Sequence, residues 1–337
     1  MAAKIFITLL IAVTSLSEAA TFKNPILDVN APDPYIYHHT DGYYYWAKTI
    51  QPTKDGIEVR RSRILSNWRD AEVQPVFHVS APYGALWAPE IHYIDNSWYI
   101  YFALETNSDN ANHRMYVIKG NSSNALGNYG PMVKLVPSDS DIWAIDGTVL
   151  RYGNGKLYFI WSGWPTLSAG FPQNLYIAPM SDPMTISGPR VLIREPLEGW
   201  ERNGAPLNEG PQVIQNNGKT FLIFSASGSW TADYCLGIIR IERLLDPLVV
   251  DNWIQDTHEC IFSRNDAQSV YGTGHASFTS SPDGTQTWII YHAMEKIDGG
   301  WENRTARAER ISWNAEGAPV LPKPSGFSIA LEAPSGE

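Results

Sequence analysis

The stretch Asp146-Gly-Thr-Val-Leu-Arg-Tyr-Gly-Asn-Gly-Lys-Leu-Tyr-Phe-Ile-Trp161 decides the fold, because its pattern occurs four more times in the chain. A charged or small polar residue is followed by a short strand, a tight turn rich in Asp, Asn and Gly, and an aromatic-rich strand. Such turns mark hairpins, since Asn, Asp and Gly are the residues that accept the positive φ a two-residue connection demands. The other copies are Asp33-Pro-Tyr-Ile-Tyr with Asp41-Gly42, Trp87-Ala-Pro-Glu-Ile-His-Tyr with Asp95-Asn96, Glu209-Gly-Pro-Gln-Val-Ile with Asn217-Gly218, and Gly274-His-Ala-Ser-Phe with Asp283-Gly284. The turns recur roughly every 55 to 65 residues, a period that means radial repetition rather than one large sheet.

Further runs complete each repeat: Ile57–Ser62 and Leu65–Trp68 as outer strands and connecting loop in the first, then third strands at Met115–Lys119, Asn174–Pro179, Tyr234–Arg240 and Thr305–Trp313. Four short strands per unit make a propeller blade. The expectation is an all-β, five-bladed β-propeller with four antiparallel strands per blade, a single domain over residues 21–337. A β-sandwich is the alternative, but it does not call for five matching hairpins at even spacing.

Composition narrows the function. A hydrophobic content of 44% with 18% charged residues fits a packed globular chain, and a net charge of -10 argues against a nucleic-acid partner. Thirteen Trp and seventeen Tyr are many for 337 residues, and flat aromatic faces suit sugar rings. Residues 1–20 read as a secretory signal peptide, with Lys4, an apolar Ile5–Val13 core and small residues near Ala19 and Ala20. No later stretch is long enough to anchor the chain in a membrane. The expected product is secreted and extracellular. Nothing in the sequence suggests an oligomer interface, so a monomer is expected. Cys235 and Cys260 are either a disulfide between neighbouring strands or two buried thiols. Asn121 lies in a credible N-glycosylation motif; Asn303 sits in a second one, beside Arg304, and is expected to be unmodified.

The first strand of each propeller blade lines the central channel, so Asp33, Trp87, Asp146, Glu209 and His275 should gather at one mouth. Hydrolysis of a glycosidic bond needs two carboxyl groups in different protonation states, one to protonate the departing oxygen and one to activate water. A third carboxylate nearby would raise the acid's pKa by repulsion.

The motifs Ala31-Pro-Asp-Pro-Tyr35, Trp87-Ala-Pro-Glu90, Ile145-Asp-Gly-Thr148, Asn208-Glu-Gly-Pro211 and Gly272-Thr-Gly-His275 resemble those of glycoside hydrolase family 43, in the family's order and over almost all the chain after residue 20. The resemblance implies a five-bladed propeller enzyme that inverts at the anomeric carbon. It makes Asp33 the general base, Glu209 the general acid and Asp146 the residue that tunes and orients the acid. His275 would help hold a central calcium ion through water, with no cofactor required for the chemistry. Arg304 would face the bound sugar; its neighbours Arg307 and Arg310 compete, although alternation puts Arg304 and Arg310 on one face and Arg307 on the other. Trp87 and Trp164 are the stacking candidates. The segments Arg304–Glu309 and Tyr271–Phe278 resemble the branch acting on arabinan, implying an exo-acting α-L-arabinofuranosidase on α-1,5 links. Endo-arabinanase and β-xylosidase are the alternatives within the family. A secreted propeller lectin is the alternative from another class; three acids aimed at one mouth speak against it.

Overall fold

The computed structural model describes residues 20–153 and 155–337, so the expected signal peptide, apart from Ala20, lies outside the described residues. Five antiparallel sheets follow one another along the chain. A short β1 (Thr21–Phe22) precedes the first blade, which holds β2 (Ile36–His38), β3 (Tyr44–Thr49), β4 (Gly56–Ser62) and β5 (Glu72–His78). The second holds β6 (Tyr83–Ile94), β7 (Ser97–Thr106), β8 (Asp109–Lys119) and β9 (Val133–Leu135). In the third, β10 (Ala144–Tyr152), β11 (Lys156–Gly163) and β12 (Asn174–Asp182) are followed by two short outer pieces, β13 (Thr185–Ile186) and β14 (Val191–Arg194). The fourth has β15 (Asn208–Asn216), β16 (Lys219–Ala226) and β17 (Cys235–Glu242). Its outer edge is reduced to isolated bridges, Leu236 with Phe262 and Arg240 with Ile254. The fifth holds β18 (Tyr271–Ser280), β19 (Thr287–Met294), β20 (Thr305–Trp313) and β21 (Pro319–Val320), and β22 (Leu331–Glu332) pairs with β1. This is the expected five-bladed propeller, with four strands per blade as its pattern. Residues 65–68 lie in the connection between β4 and the outer strand β5. Leu65 and Trp68 are fully buried, Trp68 edge-on to Trp46 at 5.4 Å.

The blades form because their second strands are apolar on both faces. In β7, β11, β16 and β19 nearly every residue is buried, since each sheet is covered by a blade on either side. Five large apolar clusters fill the five gaps between blades. The gap between blades five and one also contains Ile26, Leu27 and Ala31 from the N-terminal segment. That segment closes the ring by bonding to β20: Asn24 donates to Ala308 O (3.2 Å) and accepts from Ala308 N (2.9 Å), and Ile26 N donates to Ala306 O (3.0 Å). Cys235 and Cys260 form a disulfide that joins the start of β17 to the outer segment of the same blade.

One local feature recurs in all five blades. Asp33, Ala88, Asp146, Gly210 and His275 have φ between +43° and +55°. In blades two to five this residue sits in a register shift of the first strand pair, a bulge that re-aims side chains. The register corrects one expectation: Gly210, not Glu209, is the equivalent of Asp33 and Asp146, and Ala88, not Trp87, is their counterpart in blade two. Two residues further on come Tyr35, Glu90, Thr148, Gln212 and Ser277. Gln212 of blade four bonds to Glu90 of blade two across the channel, and His92 bonds to Glu90 (2.9 Å) and to Tyr35 (3.2 Å).

Candidate active site

The bulges bring distant carboxylates together. Asp33, Asp146, Glu209, His275 and Arg304 line one cavity of about 430 Å³, walled by Trp87, Trp143, Phe171, Trp230 and Trp301. These are the first strands' upper ends and the loops beside them, as propeller geometry requires.

Asp33 faces one guanidinium and two imidazoles, those of Arg304, His275 and His292. Its Oδ1 lies 3.2 Å from Arg304 Nη1 and 3.3 Å from His275 Nδ1. Burial alone would raise its pKa, but the Arg304 guanidinium and then His275 outweigh it and hold the carboxyl well below the usual carboxylate range. Arg304 is itself oriented by its own chain, donating from Nε to Trp301 O at 3.0 Å. Of its competitors, Arg307 is fully buried against Phe327 and Arg310 is exposed.

Asp146 and Glu209 go the other way. Burial pushes Glu209 up, Asp33's charge adds to it against Tyr234 and Arg304, and the carboxyl reaches about 7. Burial, Glu209 and Asp33 raise Asp146 as well, with a partial offset from the Gly210 N–H that donates to its Oδ2 at 3.1 Å. The repulsion between the two is mutual, so the pair as a whole resists full ionisation and retains a proton where Asp33 has none. Two carboxyls of opposite protonation thus share one cavity.

The aromatic candidates divide. Trp87 lines the cavity, with one face stacked on His113 at 3.9 Å. Trp164 does not: it is buried behind Trp143, stacked on it at 4.9 Å, and Trp143 is the indole that reaches the cavity. Trp230 and Trp301 meet edge to face at 5.4 Å, and Trp301 stays 53% exposed with its Nε1 donating to Ser229 Oγ. Sequence reasoning missed these residues and two more. Tyr234 donates to Glu209 Oε1 at 2.8 Å, and His292 accepts the Asp33 backbone N–H at 3.1 Å. Neither has a motif of its own.

Calcium takes six to eight oxygen ligands. His275 Nδ1 faces Asp33 and Asp146 (3.8 Å) directly, and the Glu90 carboxylate is already bonded to Gln212 and His92. Among the described residues no group of three or more His, Cys, Asp or Glu is arranged to hold a metal. This donor set does not fit a calcium ion held directly by the protein.

The model of glycosyl hydrolases family 43 matches residues 22–319. The chain belongs to this family. Among family 43 relatives, an extracellular exo-α-(1→5)-L-arabinofuranosidase of Streptomyces avermitilis is 36% identical over 316 residues, covering 91% of the chain and 64% of that protein. An α-L-arabinofuranosidase of Humicola insolens is 34% identical over 320 residues, covering 92% of the chain and 65% of that protein. The chain therefore spans slightly less than two thirds of the length of these two relatives. A solved structure, an α-L-arabinofuranosidase from Lactobacillus brevis, superposes with a TM-score of 0.83 at 31% identity, covering 91% of the chain and 98% of that one.

Proposed function

We propose that this family 43 chain is a secreted, inverting, exo-acting α-L-arabinofuranosidase that releases arabinose from α-1,5-arabinan and its oligosaccharides. The observation that carries the hydrolase reading is two carboxyls in unequal surroundings on one cavity: Asp33 against Arg304 and His275, which favour its charge, and Glu209 buried on the Tyr234 hydroxyl, where burial pushes it up. Glu209 gives its proton to the departing glycosidic oxygen as the bond to the anomeric carbon breaks. A water attacks that carbon from the opposite face and yields its proton to Asp33, so one bond forms, one breaks and both protons are placed. Asp146, buried beside Glu209, is the carboxyl with which the acid shares its resistance to ionisation, and Arg304 holds Asp33 in its charged, aimed state. The arabinose preference and the exo mode rest on the relatives, three of which bear extracellular exo-α-(1→5)-L-arabinofuranosidase in their names. Secretion rests on those names and on residues 1–20; among the described residues no helix is long and apolar enough to cross a membrane.

The test is product analysis on linear α-1,5-arabinan, with xylobiose in parallel and NMR of the first-formed anomer. Arabinose alone from the earliest points, released as the β-anomer, is expected. A ladder of oligomers means an endo enzyme, and xylose with arabinan untouched means a xylosidase. Retention on a sugar column without any product means a lectin.

A further inference from the structure

Asp33 and Glu209 belong to blades one and four, yet they are tied together by two side chains that touch each other. Tyr234 and His292 are both fully buried, and their rings stack at 5.5 Å with an interplanar angle of 7°. Tyr234 reaches Glu209 through its hydroxyl, and His292 Nδ1 reaches Asp33 twice, accepting its backbone N–H at 3.1 Å and lying 3.4 Å from its Oδ1. The fit is close: a Cβ on Gly274 would lie 2.1 Å from the Tyr234 ring, so the residue before His275 leaves room for that ring and no more. Burial pushes His292 down to about 4, which keeps the ring neutral and able to accept the N–H. Asp33 sits at φ +54°, a conformation few non-glycine residues hold without outside help.

We propose that the Tyr234–His292 stack is a positioning device that sets the base against the acid: His292 pins the backbone that aims Asp33, and Tyr234 pins the carboxyl of Glu209. This rests on the reading of Asp33 as base and Glu209 as acid. Each half of the device acts on a different partner, so the two halves leave different kinetic marks. Losing the Tyr234 hydroxyl frees the acid and hurts substrates that need protonation. Losing the His292 acceptor frees the base and hurts every substrate alike.

The experiment compares arabinobiose with 4-nitrophenyl arabinofuranoside in Tyr234→Phe, His292→Gln and His292→Leu, alongside Glu209→Gln. Tyr234→Phe keeps the stack; it is expected to lower kcat on arabinobiose about ten-fold and on the aryl substrate no more than about two-fold, with KM little changed. Because the hydroxyl, together with the Arg304 guanidinium, favours the ionised carboxyl against burial and the charge of Asp33, its removal also moves the alkaline limb of the pH profile up. His292→Leu is expected to cost about ten-fold or more on both substrates equally, with the alkaline limb unmoved and part of the rate restored in His292→Gln. If His292→Leu does not fold, His292→Gln and Tyr234→Phe decide the matter. Identical losses from both positions, or lower melting temperatures with unchanged rates and pH profile, overturn the device. Equal loss on both substrates in Glu209→Gln instead overturns the acid assignment beneath it.

Discussion

At the scale of the residue, the site works by giving three carboxyls unequal surroundings. Asp33 has Arg304 and His275 against it; Asp146 and Glu209 have burial and each other. The sign of the pH dependence follows. With Glu209 as the proposed acid and Asp33 as the proposed base, activity should fall as pH rises through about 7, while the lowered pKa of Asp33 leaves it ionised far into acid. Asp146→Asn removes the carboxyl that titrates together with Glu209, and its alkaline limb is expected to move to lower pH. A pH series of kcat/KM for the variant and the wild type checks this, and an unmoved limb makes Asp146 a structural residue. Much of this was legible in sequence. Asp33, Asp146, Glu209, His275 and Arg304 all stand in motifs and all reach the cavity. Tyr234 and His292 were not legible, because a tyrosine at a strand start and a histidine inside an apolar strand look like core residues. Their roles exist only through partners 25 and 259 positions away. Trp164 failed as a candidate for the matching reason: an indole in sequence carries no sign of which of two stacked rings faces outward.

At the scale of the element, the bulge matters more than the strand. Gly147 follows Asp146 in β10, and a Cβ there would meet Phe159 Cζ at 2.1 Å, inside a buried sheet with no slack. Gly147→Ala is expected to cost about 2 kcal/mol or more, as overpacking of a close-packed core does, and to lower kcat by tilting Asp146. Denaturant melts and steady-state rates on one preparation would separate the two effects. In blade four, the disulfide replaces an outer strand: its cysteines are 25 residues apart and fasten the end of β17 next to Tyr234. Replacing both by Ser is expected to lower stability by about 3 kcal/mol, most of it through the freed unfolded chain. Thermal melts with and without reductant check this, and the reduced wild type should match the double variant. The hairpins themselves were readable from Asp-Gly and Asn-Gly pairs. The outer strands were not, because short edge pieces such as β13 and β14 carry little pattern and owe their pairing to their neighbours.

At the scale of the whole molecule, the ring closes without exchanging a strand between its first and last blades. Blade one is built wholly from early residues and blade five wholly from late ones, so the seam depends on the N-terminal segment lying along β20. Asn24 is a two-way stitch, giving and taking a hydrogen bond with Ala308 in a buried place. Asn24→Ala strands both backbone groups and should cost about 2–3 kcal/mol. Hydrogen exchange should then show faster opening in β20 than in β11, while equal protection in both strands would mean that the seam does not set local stability. Five repeats at even spacing made the propeller legible from sequence, but the seam was not, since closure depends on contacts between opposite ends of the chain.

The same left-handed bend at five places has a consequence for how such a molecule could change over time. Ala88 and Gly210 keep the bend without contributing an acid or an imidazole, so the bend serves the architecture first and the chemistry second. Exchanging Asp33, Asp146 or His275 for an unreactive residue leaves the frame that shapes the cavity standing. A sugar-holding shell without hydrolysis is therefore a near neighbour of this molecule in sequence, and the converse step, from holder to cutter, is equally short.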